Sequence, residues 1–175
     1  IMFKVVNFST FIDILKCSRT DVTHSLCNLY GLYDERELPN VKLLIGSLHW
    51  MRKVRNSCAH NERVYCLTRK SDRRSSSGRI IERYLRMLNP GYIRDREQKL
   101  FDLFVYFKYY LPKNEYRQFI SELKEMLNKL QSKIHPHAFE YVRGHMGIRN
   151  IEDLDTLLNI PKDDIEYNKF DKECK

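Results

Sequence analysis

The stretch from residue 41 to residue 60, VKLLIGSLHWMRKVRNSCAH, decides the fold class of this chain. Its apolar residues recur every three or four positions, which is the period of an α-helix with one buried face. We therefore predict a helix that starts near residue 41, has Pro39 in its first turn and ends between residues 58 and 61. The predicted buried stripe comprises Val41, Leu44, Ile45, Leu48, Met51 and Val54.

The same period continues on both sides of this helix. Ser9 and Asn114 are candidate N-caps, and Gly31 is a candidate C-terminal stop. The aromatic segment 100–111 is also compatible with a buried strand, but its length and its helical neighbours favour a helix in the core or in a dimer interface. The predicted fold is all-α and bundle-like, with helices around residues 8–15, 22–30, 80–88, 100–111, 116–130 and 151–158, while residues 135–147 are irregular or briefly helical.

Length and composition favour one globular domain. With 175 residues, 42% of them apolar, the chain can bury a core, and 6 Gly with 5 Pro are too few for a turn-rich β-sandwich or barrel. Five irregularly spaced cysteines are typical of reduced thiols, so we expect a cytoplasmic protein. No apolar run approaches the ~20 residues of a membrane helix, which excludes a membrane-spanning protein. The chain begins with Ile, and we interpret it as a C-terminal fragment of a longer protein.

Positive charge is concentrated in one central stretch. The formal net charge is +8, and residues 52–99 contain 14 basic and 5 acidic residues. This stretch includes the loop 67–79, which is either a solubilising surface or the binding surface for a polyanion. The cations that we expect to bind a polyanion are Arg63, Arg69, Lys70, Arg73, Arg74 and Arg79. We assign the loop to a helical domain over residues 1–150, followed by an acidic helix and tail over residues 151–175.

Residues 51–65, MRKVRNSCAHNERVY, contain the strongest motif of the chain. Asn56 follows Arg55, and His60 lies five residues after Arg55. This R-N-x-x-x-H string resembles the signature of the HEPN superfamily. With Arg63 and Tyr65 it looks like the Abi-like abortive-infection proteins of bacteria, of the AbiD and AbiF type. The resemblance covers residues 1–67 well and the helices as far as residue 147 in outline.

The resemblance implies a HEPN-like helical bundle with extra C-terminal helices and the activity of a metal-independent endoribonuclease without a cofactor. It implies that Arg55, Asn56 and His60 are catalytic, that the protein is a homodimer with a composite site, and that the cations above bind RNA. It also implies phage defence by a toxin that an RNA or protein antitoxin controls. Some HEPN toxins carry a modified tyrosine two residues after the histidine. Glu62 occupies that position here, so Tyr65 is not assigned that role.

The three residue types suit the cleavage of RNA by its own 2′-hydroxyl. Histidine titrates near neutrality and transfers protons, arginine holds phosphate oxygens with a permanently charged fork, and Asn56 is placed to position the substrate or His60. On a continuous helix, Arg55 and His60 point roughly 140° apart. They converge on one phosphate only if the helix ends or distorts between them, or if a symmetric dimer brings in a second copy.

Other interpretations of these residues remain open. Arg55 pairs with Glu62 or another carboxylate in a purely structural interpretation, and His60 is then a helix-end histidine favoured by the helix dipole. The chain is alternatively a non-catalytic RNA-binding helical module, or an interaction domain that binds an acidic protein. Both alternatives use the basic surface for binding and assign no catalytic role to Arg55, Asn56 or His60.

Metal binding has little support in the sequence. Cys58, His60 and Cys66 do not have the spacing of a paired-ligand zinc site, and we expect Cys58 to pack in the core. The later histidines, His135, His137 and His145, lack supporting ligands. We therefore expect no metal site.

Overall fold

The helices follow the apolar periodicity of the sequence. The structure is a computed structural model that describes residues 7–34, 36–70 and 97–159. The all-α prediction is confirmed. The helices are α1 Phe8–Cys17, α2 Thr20–Tyr30, α3 Val41–Ala59, α4 Leu100–Tyr110, α5 Lys113–Gln131, α6 Pro136–Met146 and α7 Asp153–Asn159. A 3₁₀ turn spans Val64–Cys66, and a short antiparallel ladder pairs β1, Arg69–Lys70, with β2, Glu97–Gln98. Of the helices just named, none has the length and apolar character that crossing a membrane requires.

α3 has the predicted bounds and packs against α1, α2 and α4. Its predicted stripe is only partly correct, because Leu44, Leu48 and Val54 are buried whereas Val41, Ile45 and Met51 are half-buried. Trp50 is completely buried on its inner face, together with Leu43 and Leu44. From α1, Ile12 is completely buried in the same core. These contacts fix α3 as a rigid element, because apolar burial of this kind is the main stabilising contribution to a small helical domain.

α4 is the aromatic helix of the core. Every residue from Leu100 to Tyr106 is buried, as expected for a helix that is apolar around most of its circumference. The Phe119 ring of α5 lies 5.5 Å from the Phe104 ring and 5.3 Å from the Phe107 ring, in edge-to-face arrangements. The prediction that segment 100–111 is a core helix rather than a strand is confirmed.

Several helix starts differ from the prediction. Asn7, not Ser9, caps α1, because its side chain accepts a hydrogen bond from the Thr10 amide at 2.9 Å. Asn40 caps α3 in the same way, so Pro39 lies before the cap and outside the first turn. Asn114 lies inside α5, which already begins at Lys113. In the first two cases an asparagine beside the predicted residue satisfies the free amides of the first turn.

α2 buries only part of the face that the sequence predicts: of the expected stripe, Leu26 and Tyr30 pack against the core. We expected a stripe that included Val22 and Leu29, but these side chains are 47% and 72% exposed. Thr23 and Cys27 are buried instead. The sequence has apolar residues on both faces of α2, so the packing against its neighbours decides which face is inside. The predicted end of α2 is confirmed, since Gly31 adopts the left-handed conformation at φ 65°.

The C-terminal part of the described chain is more regular than predicted. Residues 136–146 form the continuous helix α6, with Pro136 in the first turn and Gly147 at φ 82° after its end. In α7, Leu154 and Leu157 are completely buried, so this helix completes the core. The predicted helix over residues 80–88, most of the loop 67–79 and the acidic tail after residue 159 lie outside the described residues.

Candidate active site

α3 ends between the two principal residues of the motif. Ala59 is its last residue, and His60 follows as the C-cap with φ −99° and ψ 11°. Asn61 then adopts the left-handed conformation at φ 53°. The Asn61 amide donates to the Cys58 carbonyl at 3.2 Å, and the Glu62 amide donates to the Ser57 carbonyl at 2.9 Å. This pair of bonds is a Schellman motif, which gives the backbone at His60 a defined conformation.

A side-chain bond locks the same turn. The buried Ser57 hydroxyl donates to the Glu62 carboxylate at 2.5 Å, across the turn that contains His60. Together with the backbone bonds, it ties the last turn of α3 to the segment that follows. The Glu62 carboxylate is therefore engaged by Ser57. The ion pair of Arg55 with Glu62 or another carboxylate, which the structural interpretation proposed, is not formed among the described residues.

The three predicted catalytic side chains are exposed at this end of α3. Arg55, Asn56 and His60 are all open to solvent, and the Arg55 guanidinium donates to the Asn56 side-chain oxygen at 3.3 Å. Cys58 is also exposed, contrary to our prediction. The reason is that Val54 is the last apolar residue of α3 in the core and Ser57 is the buried residue of the final turn, so Cys58 lies on the solvent side of that turn.

The chain after the motif turns back onto the helical core. The 3₁₀ turn Val64–Cys66 packs against both α6 and α3. The Tyr65 side chain is close to Cys66, and their hydrogen bond raises the pKa of Tyr65. The exposed Arg63 lies just before this turn. α6, which the sequence left without a clear structure, thus supports the segment that leaves the candidate site.

A cation-rich surface lies farther back on α3. Burial lowers the pKa of His49, and the neighbouring charges of Lys16, Arg52 and Arg69 lower it further, whereas Asp13 opposes them. The Arg69 guanidinium donates to the Gly46 carbonyl, which holds this side chain against α3. We call Lys16, His49, Arg52 and Arg69 the His49 cluster.

Only part of the predicted polyanion-binding surface can be placed. Arg63 is exposed and Arg69 is partly buried against α3. For Lys70 the backbone in β1 is described, but its side chain is not. Arg73, Arg74 and Arg79 lie outside the described residues.

The first part of the chain is similar to one family of known sequences. Residues 1–66 match the family model of the Abi-like proteins. The Abi-like match includes α1 to α3, the complete motif and the 3₁₀ turn, and it stops before β1. No curated protein and no solved structure matches the chain.

Within the Abi-like segment, the sequence analysis missed the residues that shape the site. Ser57, Asn61 and Glu62 set the conformation of the turn around His60. Asn61 could have indicated the turn after α3 from the sequence alone, because asparagine is the commonest replacement for glycine in the left-handed position after a helix. The bond between Ser57 and Glu62 depends on the turn itself and had no signal in the sequence.

The described residues include no metal-binding group. No three His, Cys, Asp or Glu side chains within 7–34, 36–70 and 97–159 are grouped closely enough to hold an ion. Cys58, His60 and Cys66, which had been weighed as zinc ligands, are among these residues.

Proposed function

We propose that the protein is a metal-independent endoribonuclease of the HEPN type, which cleaves RNA in a composite site formed by Arg55 and His60 of two subunits. One observation carries this proposal: Arg55 and His60 are both exposed at the same end of α3, and the backbone stays helical up to the His60 amide, which donates to the Asn56 carbonyl at 3.0 Å. On such a turn the two side chains of one chain point roughly 140° apart, so of the two arrangements that the sequence left open, a symmetric dimer is the one that brings Arg55 and His60 together. Neither side chain is neutralised by a carboxylate among the described residues.

The chemistry of the reaction uses these groups in distinct roles. The 2′-hydroxyl oxygen bonds to phosphorus while the bond to the 5′-oxygen breaks, which yields a 2′,3′-cyclic phosphate and a 5′-hydroxyl. A neutral histidine takes the proton of the 2′-hydroxyl, and a protonated histidine gives a proton to the 5′-oxygen. The Arg55 guanidinium stabilises the charge that develops on the phosphoryl oxygens. Asn56 bonds to Arg55 and so positions its guanidinium.

The two proton transfers favour a dimer. Each chain contributes one His60, whereas the reaction uses one histidine as a base and another as an acid. A two-fold axis beside the end of α3 brings two copies of Arg55 and His60 together, because the same patch meets itself in a symmetric dimer. The homodimer is therefore part of the proposal, and each composite site contains residues of both chains.

The Abi-like match supports a role for this activity in abortive infection of bacteria. We propose that RNA cleavage arrests growth in response to a phage, and that an antitoxin, either RNA or protein, restrains the enzyme otherwise. The motif lies entirely inside the matched segment, which makes it the most direct link between the family and a chemical activity.

The test is cleavage of labelled RNA in the presence of EDTA. Wild-type protein is compared with His60→Ala and with the control His137→Ala, which removes an exposed histidine at the start of α6. We expect wild type and the control to produce 2′,3′-cyclic phosphate ends, and the rate of His60→Ala to fall by ~10²–10⁴. Equal cleavage by wild type and His60→Ala would overturn the proposal.

The non-catalytic RNA-binding module is the second candidate, and the His49 cluster favours it because those cations serve binding without chemistry. This candidate predicts that RNA binds equally to wild type and His60→Ala, with an affinity that falls as the salt concentration rises. It also predicts that the bound RNA is not cleaved.

A further inference from the structure

The His49 cluster gathers charge from three separate elements. Lys16 comes from α1, His49 and Arg52 from α3, and Arg69 from β1. Asp13 forms an ion pair with Lys16 at 3.3 Å and offsets one positive charge. Arg52 has no ion-pair partner among the described residues. An excess of positive charge therefore remains around a partly buried imidazole.

Such a convergence of like charges costs free energy in the free protein. Burial raises the cost of protonating His49, and each of the three cations adds to this cost. The arrangement becomes favourable when an anion lies between the cations, since charge-assisted bonds to phosphate oxygens then replace the repulsion. Arg69 is held for this role, because its bond to the Gly46 carbonyl fixes the guanidinium beside α3, one helical turn before His49.

We propose that the His49 cluster is a phosphate-binding site for the RNA backbone, separate from the cleavage site and on the same helix; this rests on the proposed function for the identity of the polyanion. It adds Lys16, His49 and Arg52 to the RNA-binding surface. Lys16 and His49 lie outside the basic stretch that the charge distribution indicated.

Helix geometry connects the two sites. His49, Lys53, Asn56 and His60 are separated by four, three and four residues, so they follow one solvent-facing row of α3. At 1.5 Å per residue, His49 and His60 are about 16 Å apart along the axis, which spans several backbone phosphates. Lys53 lies between them. Its ammonium donates to the Thr68 carbonyl at 2.5 Å and lies 5.7 Å from the centre of the Trp50 ring.

Protonation of His49 is coupled to RNA binding in this arrangement. The groups that face it are Lys16 and Asp13 of α1, Arg52 of α3 and Arg69 of β1. In the free protein its pKa lies below the ordinary value, whereas a bound phosphate favours the charged imidazole and raises the pKa. The affinity for RNA therefore increases as the pH falls through the range in which the RNA-bound imidazole takes up its proton.

The experiment measures RNA binding by the full chain in a His60→Ala background, so that binding is scored without cleavage. Lys16→Ala, Arg52→Ala and Arg69→Ala are compared with Arg117→Ala, which removes an exposed cation of α5. For each cluster variant we expect weaker binding and a slope of log affinity against log salt that is shallower by about 1. His49→Gln should bind with an affinity that no longer rises between pH 8 and pH 6.

The inference is overturned if Lys16→Ala and Arg52→Ala bind RNA with the affinity and salt slope of Arg117→Ala. Lys16 is exposed and Arg52 is half-buried outside the hydrophobic core, so this result does not depend on whether the Arg69 variant folds. Polyglutamate that competes with RNA at equal concentration of charge would also overturn it, in favour of an acidic protein partner. Cleavage is measured separately with His60 intact, which distinguishes a failure of this site from a failure of the proposed ribonuclease.

Discussion

α3 and α4 are packed against each other but use their surfaces in opposite ways. α4 buries almost its whole circumference, whereas α3 buries one face and exposes Arg55 and Asn56 in its last turn. A helix that is buried all round contributes to stability and offers nothing to a substrate. The buried face of α3 holds the helix in place, while the side chains of its last turn, Arg55 and Asn56, are open to solvent. Substitutions in the two helices should therefore separate stability from activity.

The largest effect on stability is expected in α4. Phe104→Ala removes a buried ring that packs against Phe119, and it should lower the free energy of unfolding by about 3–5 kcal/mol. Urea denaturation measures this change. Below the unfolding transition the remaining folded protein should keep its rate of RNA cleavage. A loss of less than about 1 kcal/mol would show that this ring does not lie in the core.

In α3, Arg55→Ala should lower the activity and leave the stability nearly unchanged. The variant loses the phosphate fork, and we expect the cleavage rate to fall by ~10²–10³ while the free energy of unfolding changes by no more than about 0.5 kcal/mol. Arg55→Lys keeps the charge without the planar fork and should recover only part of the rate. If Arg55→Ala cleaves as well as Arg117→Ala, the exposed end of α3 is not the site of the reaction.

A smaller effect, on both stability and cleavage, is expected in the turn at the end of α3. Ser57→Ala removes the hydroxyl that binds Glu62 and should cost about 1–2 kcal/mol of stability, with a partial loss of cleavage because His60 is less well held. Asn61→Gly is the matched control. Glycine adopts the same left-handed conformation, so stability should stay within about 0.5 kcal/mol of wild type. Equal cleavage by Ser57→Ala and wild type would mean that the turn does not position His60.

The sequence predicted α3 and α4 correctly as helices because each pattern is long and has a helical period. It did not identify the most deeply buried residues of α3, since Leu43 and Trp50 lie outside the predicted stripe, and it left a strand open for residues 100–111. α2 was predicted correctly as a helix, but only Leu26 and Tyr30 of its predicted stripe pack against the core. Val22 and Leu29 are as apolar as Cys27, so only tertiary packing decides between the two faces.

The candidate site was predictable in its residue types and not in its geometry. Arg55, Asn56 and His60 form a motif that can be recognised in the sequence, and the end of α3 near His60 followed from the pattern. The bond between Ser57 and Glu62 could not be predicted, because it exists only when Asn61 turns the chain. The charges around His49 could not be predicted either, since Lys16 and Arg69 are far from it in sequence.

The most direct test of the central claim, a composite site of two chains, is the activity of mixed dimers. Tagged His60→Ala protein is mixed with an equal amount of wild type, subunit exchange is verified through the tag, and RNA cleavage is measured. If both copies of His60 serve one site, only wild-type dimers are active, and the activity should fall to about a quarter of that of wild type at the same total concentration. An activity of about one half, with exchange complete, would contradict a site that needs both chains.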